Sequence, residues 1–174
     1  MKKREFPILE FDSTKESIIE PSKVLKPQDI SEYCVVCFFQ DVINKVIEEH
    51  NLEPKIHMRS EMGLHPIYEL DYKDNKINIF HPGMGAPFAA AALEEVIVFG
   101  GRKFVACGGA GVLKEEISVG SLIIPDSAIR DEGVSYHYLP PSREVESSSK
   151  AINSIVNTLE EEGIKYITFS DYAN

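Results

Sequence analysis

The sequence predicts an α/β domain of three layers, α/β/α, built on a mixed central sheet. Three observations carry that prediction. Segments of strand character alternate with segments of helical period, and glycine clusters follow two of the strands. One run, Tyr33-Cys34-Val35-Val36-Cys37-Phe38-Phe39, is continuously apolar, as a strand buried on both faces would be.

Taken in order, residues 1–32 form an N-terminal lead-in, polar and broken by Pro7, Pro21 and Pro27, with at most a short strand at Ile8-Leu9-Glu10-Phe11. Residues 33–174 form a single α/β domain. After the first core strand, Val42, Ile43, Val46 and Ile47 fall at helical spacing opposite Glu48 and Glu49, which predicts a helix over 40–50 ended by Asn51. A β-rich stretch follows, with strands at 55–61, 66–72 and 76–80. The last two are joined through Lys73-Asp74-Asn75 as a hairpin. Alanine-rich residues 86–99, with Pro87 near the start and Gly100-Gly101 after the stop, predict a helix. A buried strand is expected at 103–107, a further strand at 121–129, a helix at about 147–162 capped by serine and ended at Gly163, and a last strand at 164–169.

Composition narrows the function classes. The 174 residues carry 28 acidic against 18 basic side chains, a net charge of −10. That balance opposes phosphate-backbone binding, so no nucleic-acid partner is expected. The longest apolar run is about seven residues, far short of the roughly 20 that span a bilayer, and no apolar signal core follows Lys2-Lys3-Arg4. No membrane association is expected and the chain reads as cytoplasmic, its three cysteines reduced.

In open α/β sheets ligands bind at the carboxyl ends of strands, so the loops there hold the candidate site. Gly83-Met84-Gly85 lets backbone approach a ligand and offers the free amides of the following helix. The alternative is a tight turn with Met84 packed in the core. Gly108-Gly109-Ala110-Gly111 is the second such loop. Neither completes a dinucleotide fingerprint, since Phe88 and Lys114 stand where the third glycine belongs. Cys34 and Cys37, three apart on a strand, point to opposite faces and read as buried core thiols, with Cys107 in a similar apolar setting. The five histidines lack ligand spacing, so no metal is predicted. Asp131-Glu132-Gly133-Val134-Ser135-Tyr136-His137-Tyr138 reads either as the lining of a polar pocket or as a rim loop packed on another subunit.

Four segments in order and spacing carry a family resemblance. They are His81-Pro82-Gly83-Met84-Gly85-Ala86-Pro87, Cys107 through Leu113, Val119-Gly120-Ser121-Leu122-Ile123-Ile124-Pro125, and Ala128-Ile129-Arg130 through Tyr136. Together they resemble the nucleoside phosphorylase and uridine phosphorylase superfamily, in its hexameric branch, from Phe80 to about Pro141. Weaker similarity runs from Tyr33 to Asp171.

The resemblance implies a phosphorylase/hydrolase-like fold and cleavage of the N-glycosidic bond of a purine or pyrimidine nucleoside by phosphate. Nucleoside and phosphate are then the partners, and phosphate is a co-substrate with no other cofactor. It places Gly83, Met84 and Gly85 near the ribose and Gly108-Gly109 at phosphate and sugar. It makes Arg59 a side chain lent to a neighbouring subunit's phosphate site, hence a homo-oligomer burying residues 55–72. It assigns no catalytic residue. The Met84 and Gly108 loops are expected to follow adjacent strands of one sheet and so to lie side by side and converge on one pocket.

Departures from the family pattern are as informative. Where the family has Gly-Asp-Pro-x-Arg, this chain has Phe39-Gln40-Asp41-Val42-Ile43; Ala106 replaces a second clamp arginine, and Gly109 a hydroxyl residue. The family's base-binding loop and ribose-gripping Met-Glu pair are expected beyond Asn174, with Ser170-Asp171 at the approach to them. Three functions follow: a phosphorylase, a nucleosidase using water, or a short non-catalytic nucleoside-binding relative.

Overall fold

The computed structural model describes residues 3–168, which form two compact units, Thr14–Ala110 and the described parts of Met1–Ser13 with Gly111–Asn174. The first unit carries the central sheet. Its elements in chain order are α1 (Pro21–Val24), β1 (Tyr33–Cys37), α2 (Gln40–His50), β2 (Pro54–Ser60), β3 (Gly63–Tyr72), β4 (Asn75–Phe80), α3 (Ala86–Phe99) and β5 (Lys103–Cys107).

Sheet order is β2-β3-β4-β1-β5. β1 runs parallel to both β4 and β5, whereas β2–β3 and β3–β4 are antiparallel hairpins, which makes the sheet mixed. Period-two alternation along β1 sorts its side chains between two cores. Cys34 and Val36 join Met58, Ile67, Phe80, Ala92, Val96 and Phe99 beneath α3. Cys37, with Val35 at its edge, joins Ile43, Ile79 and Ile47 beneath α2. The α2, sheet and α3 layers thus give the three-layer α/β/α order, and the two cysteines do face opposite ways.

Local signals placed these elements well. Asn51 caps α2 in the left-handed conformation at φ 49°. Lys73 takes φ 53° in the β3–β4 turn, leaving Asn75 as the first residue of β4. The lead-in is more ordered than its prolines suggest. The Gln28 amide donates to the Phe99 carbonyl at 2.9 Å, and Leu25 and Ile30 pack on the core under α3.

Two expectations for this unit need correction. β3 begins at Gly63 rather than at Pro66, because it pairs with β2 right up to the Glu61-Met62 turn. β5 is not buried: it is the sheet's edge strand, and Val105 is 47% exposed. The physical reason is the reach of α2, whose Ile43 and Ile47 pack over β1, β4 and β3 residues and leave that face of β5 open.

The second unit is built from short pieces. A 3-10 turn at Pro7–Leu9 replaces the expected strand there, since Pro7 has no N–H for a ladder and its carbonyl accepts from the Glu10 amide at 2.9 Å. The predicted strand over 121–129 is split into β6 (Ile123–Ile124) and β7 (Ser127–Ile129) by Pro125. β7 pairs antiparallel with β8 (Glu144–Glu146), which the sequence did not announce. α4 (Ser149–Glu161) starts at Ser148, whose hydroxyl accepts from the Ala151 amide, and is followed by Gly163 at φ 66°. β9 (Ile167–Thr168) pairs parallel with β6. Phe169, Ser170 and Asp171 lie outside the described residues.

Candidate active site

Because β1, β4 and β5 are parallel, the loops that leave them all open on one edge of the first unit's sheet. α2 follows β1 onto one face and α3 follows β4 onto the other, so the ends of β1 and β4 form a topological switch point, the place where open sheets bind ligands. Residues 38–39, 81–85 and 108–110 leave the three parallel strands on this edge.

The expectation that the Met84 and Gly108 loops follow adjacent strands is wrong. β1 lies between β4 and β5, which puts the two loops on the same edge but about 10 Å apart by strand spacing. Phe38 and Phe39 fill the interval. The Phe38 amide donates to the Cys107 carbonyl at 2.9 Å. A Cβ on Gly108 would stand 3.2 Å from that of Phe38, and one on Gly109 3.3 Å from the Phe39 ring.

The 81–85 loop is tightly specified. Gly83 and Gly85 have φ of +83° and +85°, and the Phe88 ring occupies the place of any side chain at position 83. Met84 between them is 83% exposed, which rules out the reading that buries it in the core. Pro87 lies in the first turn of α3, so the Ala86 and Phe88 amides remain as the turn's early donors.

The sequence marks His81 only as the first residue of the His81–Pro87 segment, and the fold places it at this edge. Its Nδ1 accepts from the Gly83 amide at 3.0 Å, so the neutral ring carries its proton on Nε2. The ring stands edge-on to Phe38 with centroids 6.1 Å apart. A histidine directly before Pro-Gly at a strand end was the available signal.

Positions 43 and 106, which the resemblance assigns to a phosphate clamp, hold no cation. Ile43 is 1% exposed in the core beneath α2, and neither residues 38–39, 81–85 nor 106–110 include lysine or arginine. Arg59 lies elsewhere. It is exposed on β2, two strands from β4, and the pairings of Ile67 with both Ile56 and Phe80 put it about 10 Å beyond the level of Phe80. It borders a depression of about 440 Å³ at the hairpin tip, also lined by Ser60, Glu61, Gly63 and Leu64. Ser60 holds that tip, accepting from the Met62 amide at 3.0 Å and meeting His65 Nε2 at 2.7 Å. His65 in turn lies edge-on to Phe88, with centroids 4.9 Å apart.

The larger depression, about 640 Å³, is at the opposite, amino edge of the sheet. Several of its charges pair with one another: Glu69 with Lys55 at 3.4 Å and Lys76 at 3.1 Å, and Lys76 with Asp71 at 3.3 Å. We therefore place the candidate site at the carboxyl edge, where backbone donors are open.

In the second unit the 131–138 segment is an internally bonded loop. Arg130 is 4% exposed, and its guanidinium donates to Ser135 Oγ, the Pro140 and Leu139 carbonyls and Ser142 Oγ at 2.6–3.1 Å. It also lies 4.5 Å from the Tyr136 ring centre. Hydrogen bonds from Ser135 hold the Glu132 carboxyl below its usual range, aided by the Val134 amide and Arg130. Arg130 is thus committed to the loop and is no anion clamp.

Comparison with known proteins agrees with this architecture. The uridine phosphorylase of Thermococcus kodakarensis is 26% identical over 141 residues, 81% of this chain and 50% of that protein. The crystal structure of uridine phosphorylase from Vibrio fischeri superposes with a TM-score of 0.70 at 28% identity, covering 83% of this chain and 62% of that one. AMP nucleosidase from Bacteroides thetaiotaomicron shares the fold, with a TM-score of 0.68 at 23% identity over 80% of this chain and 58% of that one. The chain spans half or less of the length of the curated relatives it matches. Residues 32–169 match the family model described as the phosphorylase superfamily, and the chain belongs to that superfamily.

Proposed function

We propose that this polypeptide forms the nucleoside- and phosphate-facing part of a nucleoside phosphorylase. The observation that carries the reading is the switch point between β1 and β4, with the two glycine loops that the family resemblance assigns to sugar and phosphate on the same edge of the sheet, one on each side of β1. In the reaction a phosphate oxygen bonds to the sugar's anomeric carbon as the N-glycosidic bond breaks. The bonding pair leaves with the base nitrogen, which takes up a proton, and the products are base and pentose 1-phosphate.

On this reading Gly83, Met84 and Gly85 lie along the ribose and the Gly108-Gly109 amides face phosphate. The Nε2–H of His81 adds a donor. Arg59 serves a neighbouring chain, and the exposure of Met62 and Leu64 beside it, 81% and 62%, supports a subunit contact at that hairpin. A charge-assisted hydrogen bond is worth roughly 1.5–3 kcal/mol, so replacing two clamp arginines by Ile43 and Ala106 leaves phosphate weakly held. That replacement favours one second reading, a nucleosidase in which water replaces phosphate.

The test is base release from uridine, inosine and adenosine with and without phosphate. We expect slow, phosphate-dependent release with pentose 1-phosphate as product, and a several-fold higher phosphate half-saturation in His81→Ala. Phosphate-independent release of free pentose would establish the nucleosidase instead. Turnover near 1 s⁻¹ or above, in the usual enzyme range, would show that a cation outside this edge of the sheet completes the clamp.

A further inference from the structure

Cys37 and Cys107, 70 positions apart in the sequence, are direct partners in the parallel β1–β5 ladder. Register partners on neighbouring strands project to the same face, here the α2 side, and their Cα atoms are about 4.8 Å apart. The Cys37 thiol donates to the Phe39 carbonyl at 3.6 Å, and burial, with Cys37 beside it, pushes the Cys107 thiol up to about 11. Both are free cysteines; Cys37 is buried and Cys107 is exposed, so the pair can be reached from solvent on one side.

Their spacing decides what can join them. A disulfide needs Cβ atoms about 3.5–4.5 Å apart, whereas parallel Cα–Cβ bonds keep these near the strand spacing, so a direct S–S bond would strain the ladder. One atom inserted between the sulfurs removes the strain. Zinc is a poor occupant because it takes four ligands, and among the described residues no group of three or more His, Cys, Asp or Glu gathers to supply them. Soft thiolates select copper(I), and a d¹⁰ monovalent ion is satisfied by two of them in a line.

We propose that Cys37 and Cys107 form a two-thiolate site that holds one copper(I)-class ion. Binding makes two S–Cu bonds, releases both thiol protons and changes no oxidation state. The bridge ties the last residue of β1 to the last residue of β5, immediately before Phe38 and Gly108. Cys34 takes no part, since it lies in the core on the other face of the sheet.

The test is anaerobic titration of the 174-residue chain with copper(I) against a chromophoric copper(I) chelator. We expect one copper per chain in the parent and in Cys34→Ser, and at least a 100-fold loss of affinity in Cys107→Ser and Cys37→Ser. Two displaced protons make the affinity rise by up to about 100-fold per pH unit between pH 6 and 8. Because Cys37 is a core residue, Cys107→Ser is the deciding variant, its fold checked by circular dichroism. Phenylarsine oxide gives an independent reading: one arsenic bonded to both sulfurs, with loss of one water, in the parent but not in Cys107→Ser. Unchanged copper binding by Cys107→Ser, loss of binding by Cys34→Ser, two coppers per chain, or copper joining two chains would each overturn the proposal.

Discussion

The Phe88 ring stands where a side chain on Gly83 would have to go: a Cβ there would lie 1.8 Å from Phe88 Cδ1. The first turn of α3 thereby fixes the loop that precedes it, and Phe88 also meets His65 of β3. Gly83→Ala is expected to lose about 2–4 kcal/mol, part from the positive φ and part from overpacking. Urea unfolding of Gly83→Ala beside Gly83→Ala/Phe88→Ala separates the two. The double variant should recover only the packing share relative to Phe88→Ala.

Arg130→Ala leaves two carbonyls and two hydroxyls without their donor, and should cost roughly 3 kcal/mol or more in the second unit. Limited proteolysis should then cut between residues 130 and 142, where the parent resists. Arg130→Lys should fall between the two, because an ammonium cannot reproduce the guanidinium's fixed fork. Equal resistance in all three proteins would show that the loop holds itself.

Burial raises the Glu95 carboxyl above its ordinary range, with the charge of His65 pulling the other way. An acid whose folded pKa is raised is disfavoured by folding in its ionised form. Its contribution is therefore best below the unfolded pKa and declines as pH climbs toward the folded one. Glu95→Gln should melt higher than the parent at pH 7–8 and level with it near pH 4. A constant difference across that range would remove burial of the charge as the cause.

If the hairpin tip lends Arg59 to a neighbour, sedimentation at micromolar concentration should show at least a dimer. Met62→Asp/Leu64→Asp should dissociate it without unfolding the sheet, since both side chains are exposed. A monomeric parent would withdraw Arg59 from any shared phosphate site.

Much of the fold was legible because it rests on local period and local caps. Helices 40–50 and 86–99 and the strand 103–107 agree with α2, α3 and β5 residue for residue. The opposite facing of Cys34 and Cys37 follows from strand alternation alone. Glycine loops at strand ends marked the candidate site, and the order of four segments marked the family.

What the sequence could not decide was which strands would be neighbours. Inserting β1 between β4 and β5 buries Cys34 and Val36 on one face and Cys37 on the other, while Tyr33, Phe38 and Phe39 at the ends of the apolar run stay exposed, a choice made by the sum of contacts across the sheet rather than by any one segment. That placement separated the Met84 and Gly108 loops and put Phe38 and Phe39 between them. It left β5 at the edge and made partners of Cys37 and Cys107. Likewise Ile43 reads as a lost ligand until α2 turns it into the core. A residue's own chemistry and its local period are written along the chain, but its partners depend on burial shared between distant segments, which only the folded sheet fixes.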